Sequence, residues 1–222
     1  MNPQRMKAIL ILKLWIRKDF DMEFGGYSSR RGFVAGLGAM AVVPVFGTAA
    51  HAATSAQAES LVDRLVGDIN KVIASGKSES AMIRDFEKIF QTYADMPTIA
   101  AYAMGVDGRR ASRPQKAAFS KAFSGYIARK YGKRFREFVG GRLEVNGTKT
   151  VRNAFQVSTT AYLRGEAPFE VTFHVGQKSG KFFNMFIEGV NMLLTERTEI
   201  GSMLDKRRGD IDAMISDLKK AG

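Results

Sequence analysis

The chain has 222 residues, 45% of them hydrophobic and 25% charged, a balance that excludes a disordered or collagen-like protein. It contains no cysteine, which excludes disulfides, thiolate metal sites and a cysteine nucleophile, and only two histidines, too few for a multi-histidine metal centre. The formal net charge is +12, so anionic partners are expected: nucleic acid, anionic lipid or an acidic protein face.

The N-terminal segment chooses among them. Residues 28–34 read Ser-Ser-Arg-Arg-Gly-Phe-Val, followed by an uncharged run from Ala35 to Ala50 that ends in Ala50-His51-Ala52. A positive region, an apolar region and a small-x-small cleavage site are the parts of an export signal. The pair Arg30-Arg31 before Gly32-Phe33 gives it twin-arginine character. The competing reading is an uncleaved membrane span. Gly36, Gly38 and Pro44 interrupt the apolar run, which is also shorter than the roughly 20 apolar residues a span needs. Met22 would start a signal of ordinary length. Cleavage after Ala52 removes seven of the 34 basic and three of the 22 acidic residues and leaves residues 53–222 with net charge +8. The reading is therefore two segments, 1–52 as address and 53–222 as one domain, located in the periplasm. Little nucleic acid is found there, so none is expected as a partner.

Within 53–222, residues 53–60 read as a short polar leader. Leu61, Leu65, Ile69 and Val72, with Val62, Val66 and Ile73, recur at helical spacing and predict a helix over about 57–75, stopped by Ser75-Gly76. Ser78 or Ser80 caps a second helix carrying Met82, Ile83, Phe86, Ile89, Phe90 and Tyr93. Asp95 before Met96-Pro97 starts a short third helix that ends at Gly105. Ser112 and Pro114 open a fourth, with Ala118, Phe119, Ala122, Phe123, Tyr126 and Ile127 inward and an extension through Lys133 to Val139.

At Gly140-Gly141 the period changes from 3.6 to 2. Leu143 and Val145 alternate up to Asn146-Gly147, a hairpin signal. Alternation resumes from Val151 to Leu163, returns over Phe169 to Val175, and gives way to a nearly all-apolar run from Lys181 to Ile187. Four antiparallel strands follow from this. From Asn191 the helical period returns in two segments, the last capped by Asp210. The fold class is α+β: a curved four-stranded antiparallel sheet packed against several helices.

The sequence nominates no catalytic group and no metal ligands, and the expectation is a protein without enzymatic activity. His174 shares a strand face with Glu170 and Thr172, an ordinary polar face without an oriented nucleophile. The apolar inventory is more informative: 16 Phe and 11 Met, concentrated in the sheet and its neighbouring helices. Such stripes are core packing, or else a pocket for flexible acyl chains, to which Met adapts its shape. Basic residues cluster at Arg109-Arg110-Arg113, at Arg129, Lys130, Lys133, Arg134 and Arg136, and at Lys206-Arg207-Arg208. They form a solvated face or a surface for an anionic membrane or acidic partner.

Three stretches resemble the MlaC family of periplasmic phospholipid-binding proteins, also called the toluene-tolerance family. The first is Ile99 to Gly105 with Ala111-Ser-Arg-Pro-Gln115 and Phe119 to Tyr131; the second is Asn184-Met-Phe-Ile-Glu-Gly-Val-Asn191; the third is Arg197 and the Gly209 before the final helix. Glu188-Gly189-Val190 with Arg197 is the most specific part, and an acid and an arginine there suit a fold-holding pair. Asn184 stands where the family usually has Asp, and Asn191 where Ser is common.

The resemblance implies a monomeric carrier that shuttles phospholipid between an outer-membrane lipoprotein complex and an inner-membrane ABC transporter, maintaining outer-membrane lipid asymmetry. The acyl chains would lie in an apolar pocket between sheet and helices, with phospholipid as cargo and no cofactor. Met96, Ile99, Ala103, Phe123, Phe155, Val157, Phe173, Val175, Phe183, Met185 and Ile187 are the expected tail-pocket residues. The alternatives are a carrier of hopanoid or another lipid, and a periplasmic adaptor that binds no lipid.

Overall fold

The computed structural model describes residues 53–133 and 140–222. The export-signal reading, the extension of the fourth helix through Val139 and the cations Arg134 and Arg136 lie outside the described residues.

Helix α1 spans Ser55–Ala74. It starts earlier than hydrophobic spacing predicts, so residues 53–60 are not a leader. Thr54 and Gln57 form a capping box: the Thr54 hydroxyl accepts from the Gln57 amide and the Gln57 side chain accepts from the Thr54 amide. Two orphan N–H groups are satisfied at once, which offsets the weak hydrophobic pattern of the first turn. Helix α2 spans Glu79–Tyr93. Ser78 occupies its N-cap, but its hydroxyl meets the Ser80 hydroxyl at 3.3 Å rather than capping a backbone amide. Helix α3 spans Met96–Met104, with the Asp95 carboxylate accepting from the Thr98 amide as the sequence predicts. A 3₁₀ turn, Gly105–Arg109, leads to α4 at Arg113–Gly132, opened by a capping box between Ser112 and Gln115. Of its predicted inward residues, Ala118 is exposed and the other five are buried.

The strands are β1 (Arg142–Val151), β2 (Ala154–Tyr162), β3 (Phe169–Gly176), β4 (Phe182–Ile187) and β5 (Val190–Asn191), paired antiparallel in chain order. The sheet thus has five strands, not four. Glu188 and Gly189 both take positive φ, 48° and 81°, as a two-residue hairpin loop requires, and this turns the chain back to form the short β5.

The first hairpin also differs from expectation. Asn146-Gly147 is not a turn; β1 runs through it with a bulge, the register shifting between Val145 and Gly147. The Asn146 side chain donates to the Thr160 hydroxyl of the neighbouring strand at 2.8 Å. The chain turns instead at Arg152-Asn153, where Asn153 adopts φ 63°. Asn-Gly serves a bulge as readily as a hairpin because both want a glycine with unusual φ. Helices α5 (Met192–Lys206) and α6 (Ile211–Leu218) follow the sheet, and the Asp210 carboxylate accepts from the Ala213 amide.

Helix α1 packs over β1 and β2, α3 and α5 pack against β4, and α2 packs against α4. The Asp95 amide donates to the Phe182 carbonyl at 2.8 Å, which ties the α2–α3 junction to the start of β4. Among the described residues no helix is long and apolar enough to cross a membrane.

Candidate functional site

The register of the sheet builds the candidate site. Phe155 pairs with Val175, Val157 with Phe173, and Phe173 with Met185, while Val171 pairs with Ile187. Directly opposed residues share a face, so these side chains form one apolar surface. Thr148 belongs to the same face, opposite Val157, and its hydroxyl donates to the Glu59 carboxylate of α1 at 2.6 Å, which identifies the face as the one turned toward that helix. Thr159 on this face is fully buried and donates to the Val171 carbonyl at 2.7 Å, so its hydroxyl costs nothing to bury.

Four predicted tail residues, Phe155, Val157, Phe173 and Val175, are brought together here, all buried. Met185 and Ile187 continue the face half-buried, packed against the core at its edge. Phe183 does not join them. A bulge between His174 and Val175 places Phe182 opposite Val175. The Phe182 ring meets Phe173 edge-on at 5.8 Å and Phe90 of α2 at 6.4 Å. Phe183 turns to the opposite face, 6.1 Å from the His174 ring. The bulge breaks the strict alternation on which the placement of Phe183 rested. On α3, Met96 and Ala103 are buried and Ile99 is half-buried. Phe123 is fully buried in a stack with Phe119 at 5.5 Å and Tyr126 at 6.1 Å along α4. Phe182 and Phe90 are the aromatic members that alternation missed.

His174, on the opposite face, lies 4.7 Å from the Phe186 ring, and burial holds its imidazole below the usual pKa. The Thr172 hydroxyl donates to Glu170 rather than to a histidine-centred relay. Among the described residues no group of three or more His, Asp or Glu could hold a metal ion.

The basic clusters are largely structural. Lys130 is half-buried and pairs with the buried Glu196 at 2.8 Å; Tyr131 donates to the same carboxylate oxygen. Burial, together with the charges of Glu196 and Glu199, raises the Tyr126 hydroxyl well above its ordinary pKa. Arg129 donates to the Leu218 and Ala221 carbonyls and Lys133 to that of Gly222, so this cluster fastens the C-terminal segment. Arg207 pairs with Asp217 through two hydrogen bonds, and Arg110 joins Asp107 to the Gly209 carbonyl. Glu196 has no sequence signal beyond its place on an apolar helix face.

Glu188 and Arg197 do not form the ion pair expected of them. Glu188 sits in the β4–β5 turn. The Arg197 guanidinium lies over the Tyr102 ring at 5.2 Å and against Gly105, whose backbone has φ 61° and ψ −140°, a conformation kept for glycine. A Cβ on Gly105 would stand 3.1 Å from the Arg197 Nε. Two stretches that carry the family resemblance therefore meet in space.

Comparison with known proteins agrees. Residues 53–220 match the family described as MlaC protein. The chain belongs to the MlaC family. Among solved structures, a phospholipid-binding protein from Ralstonia solanacearum, determined in complex with a phospholipid, superposes with a TM-score of 0.64 at 17% identity, over 73% of this chain and 95% of that one. At that identity the likeness is one of fold. A search of curated proteins finds no match. In this MlaC protein the helix-facing side of the sheet carries no charged residue in its registers, and its central residues are apolar and buried.

Proposed function

We propose that this protein is an exported, non-enzymatic phospholipid carrier. The observation that carries the reading is the uncharged helix-facing surface of the sheet, running from Phe155 across Phe173 to Met185 and Ile187, whose last members remain half-buried. A face that ends in half-covered apolar groups can exchange solvent contact for contact with an acyl chain, each buried methylene contributing about 0.8 kcal/mol. Membership of the MlaC family and the phospholipid held by the Ralstonia protein support the same reading.

On this reading the acyl chains enter between the sheet and helices α1 and α3, and the headgroup stays in solvent. Residues 1–52 direct export to the periplasm and are removed. The carrier moves as a monomer between an outer-membrane lipoprotein complex and an inner-membrane ABC transporter. The test is extraction of the protein, purified without detergent, with organic solvent, followed by mass spectrometry. Stoichiometric phospholipid is expected. A folded protein that carries no lipid and takes none from liposomes would overturn the proposal.

A further inference from the structure

A concavity lies apart from the helix-facing surface of the sheet. It is a cleft of about 400 Å³ between the end of α2, the start of α3 and the middle of α4, closed on one side by Lys181. Its polar lining consists of Gln91, Ser120, Lys121, Ser124 and Lys181, and no carboxylate lines it. Neither lysine forms an ion pair with a described carboxylate. Ser124 is 6% exposed, and its buried hydroxyl has no hydrogen-bond partner within the protein. A buried hydroxyl without a partner is costly, so its presence beside an open concavity points to an external acceptor. Met96 and Pro97 supply an apolar wall next to these groups.

We infer that this cleft is a binding site for a phosphoester. Two ammonium groups, two hydroxyls and an amide converge there, and each can donate to a phosphate oxygen. The volume leaves room for the esterified alcohol against Met96 and Pro97, within the range of small-molecule sites. Of the residues assigned to the acyl chains only Met96 reaches this cleft, so the site does not depend on the proposed tail face. The phosphate has two sources: a soluble phosphoester or the headgroup of a phospholipid.

The experiment is an amide NMR titration of the purified protein with glycerol 3-phosphate, glycerol and a short-chain phosphatidylglycerol at physiological salt. Glycerol 3-phosphate is expected to shift amides of Gln91, Ser120, Lys121, Ser124 and Lys181, and glycerol to leave them unmoved. Lys121→Glu and Lys181→Glu should each weaken glycerol 3-phosphate binding at least tenfold, and Ser124→Ala severalfold. The unchanged amide fingerprint of the exposed Lys121→Glu variant reports retention of fold. If the short-chain lipid weakens in parallel, the headgroup is the source; if it does not, the ligand is soluble. Equal shifts by glycerol, or binding indifferent to both lysine substitutions, would overturn the site. Neither outcome bears on the acyl-chain face, which the extraction experiment tests alone.

Discussion

The side-chain amide of Asn184 donates to the Oδ1 of Asn191 at 3.0 Å. These are two of the positions at which the sequence resemblance to the MlaC family is inexact, and they bond to each other. The same Asn191 oxygen accepts from the Leu194 amide and caps α5, while the Asn184 oxygen accepts from the Leu193 amide. Asn184→Asp would set a carboxylate against the capping oxygen. Asn191 could face it with its own amide only by giving up the cap, a loss of about 1 kcal/mol. A serine at 191 can donate to the carboxylate and still accept from the helix. Urea denaturation is expected to show Asn184→Asp destabilised by about 1 kcal/mol and the Asn184→Asp/Asn191→Ser double variant restored. Additive losses in the double variant would mean that the two side chains are not coupled.

The buried pair Lys130–Glu196 makes a different prediction. Its side chains are 14% and 5% exposed, and the second Glu196 oxygen has no partner. Removing the lysine by Lys130→Met leaves a buried carboxylate that keeps its hydrogen bond from Tyr131 but has lost its countercharge. The expected loss is about 3–5 kcal/mol at neutral pH, because an uncompensated buried charge is costly. Adding Glu196→Gln removes that charge and should recover most of the loss. Equilibrium unfolding of the two variants checks the order. If Lys130→Met costs no more than a surface substitution, the pair is not holding α4 to α5.

These cases show what was legible in the sequence. Helix starts with a side-chain oxygen three residues before an amide, as at Asp95, Ser112 and Asp210, were readable because capping is local chemistry. Strand faces were readable as far as period 2 held, which placed Phe155, Val157, Phe173 and Val175 together. The two bulges were not readable. An extra residue at Asn146 or Phe183 changes the face without changing composition. Nor could composition separate a lysine in solution from Lys130 inside an ion pair, since the partner Glu196 lies 66 residues away.

His174 predicts a pH dependence. Burial lowers its folded pKa below the usual value of about 6.5, so the unfolded chain takes up the proton first as pH falls. Stability therefore decreases as pH drops through 6.5 toward the folded value and is unaffected by this group above it. The carboxylates of Asp68, Asp85 and Asp217, held low by Tyr93, Lys77 and Arg207, titrate at lower pH and do not enter this window. The urea midpoint is expected to fall between pH 7.5 and 5.5, and less so in His174→Gln. An identical fall in that variant would assign the effect elsewhere.

The acyl-chain face is best tested at its edge. Val157 is fully buried and Phe173 is 3% exposed, so an arginine at either would unfold the domain before it could report on lipid. Ile187 and Met185 share the face but are half-buried, where a charged tip can reach solvent. Ile187→Lys and Met185→Lys are expected to leave the protein folded, with a loss of stability near 1 kcal/mol typical of point variants. They should reduce co-purifying phospholipid severalfold, since an ammonium beside acyl chains must be desolvated or snorkel across their path. Phe183→Lys, on the opposite face beside His174, is the control and should keep its lipid. Lipid content measured by mass spectrometry on the three folded variants decides the matter. Equal loss from Phe183→Lys and Ile187→Lys would place the lipid off the helix-facing side of the sheet.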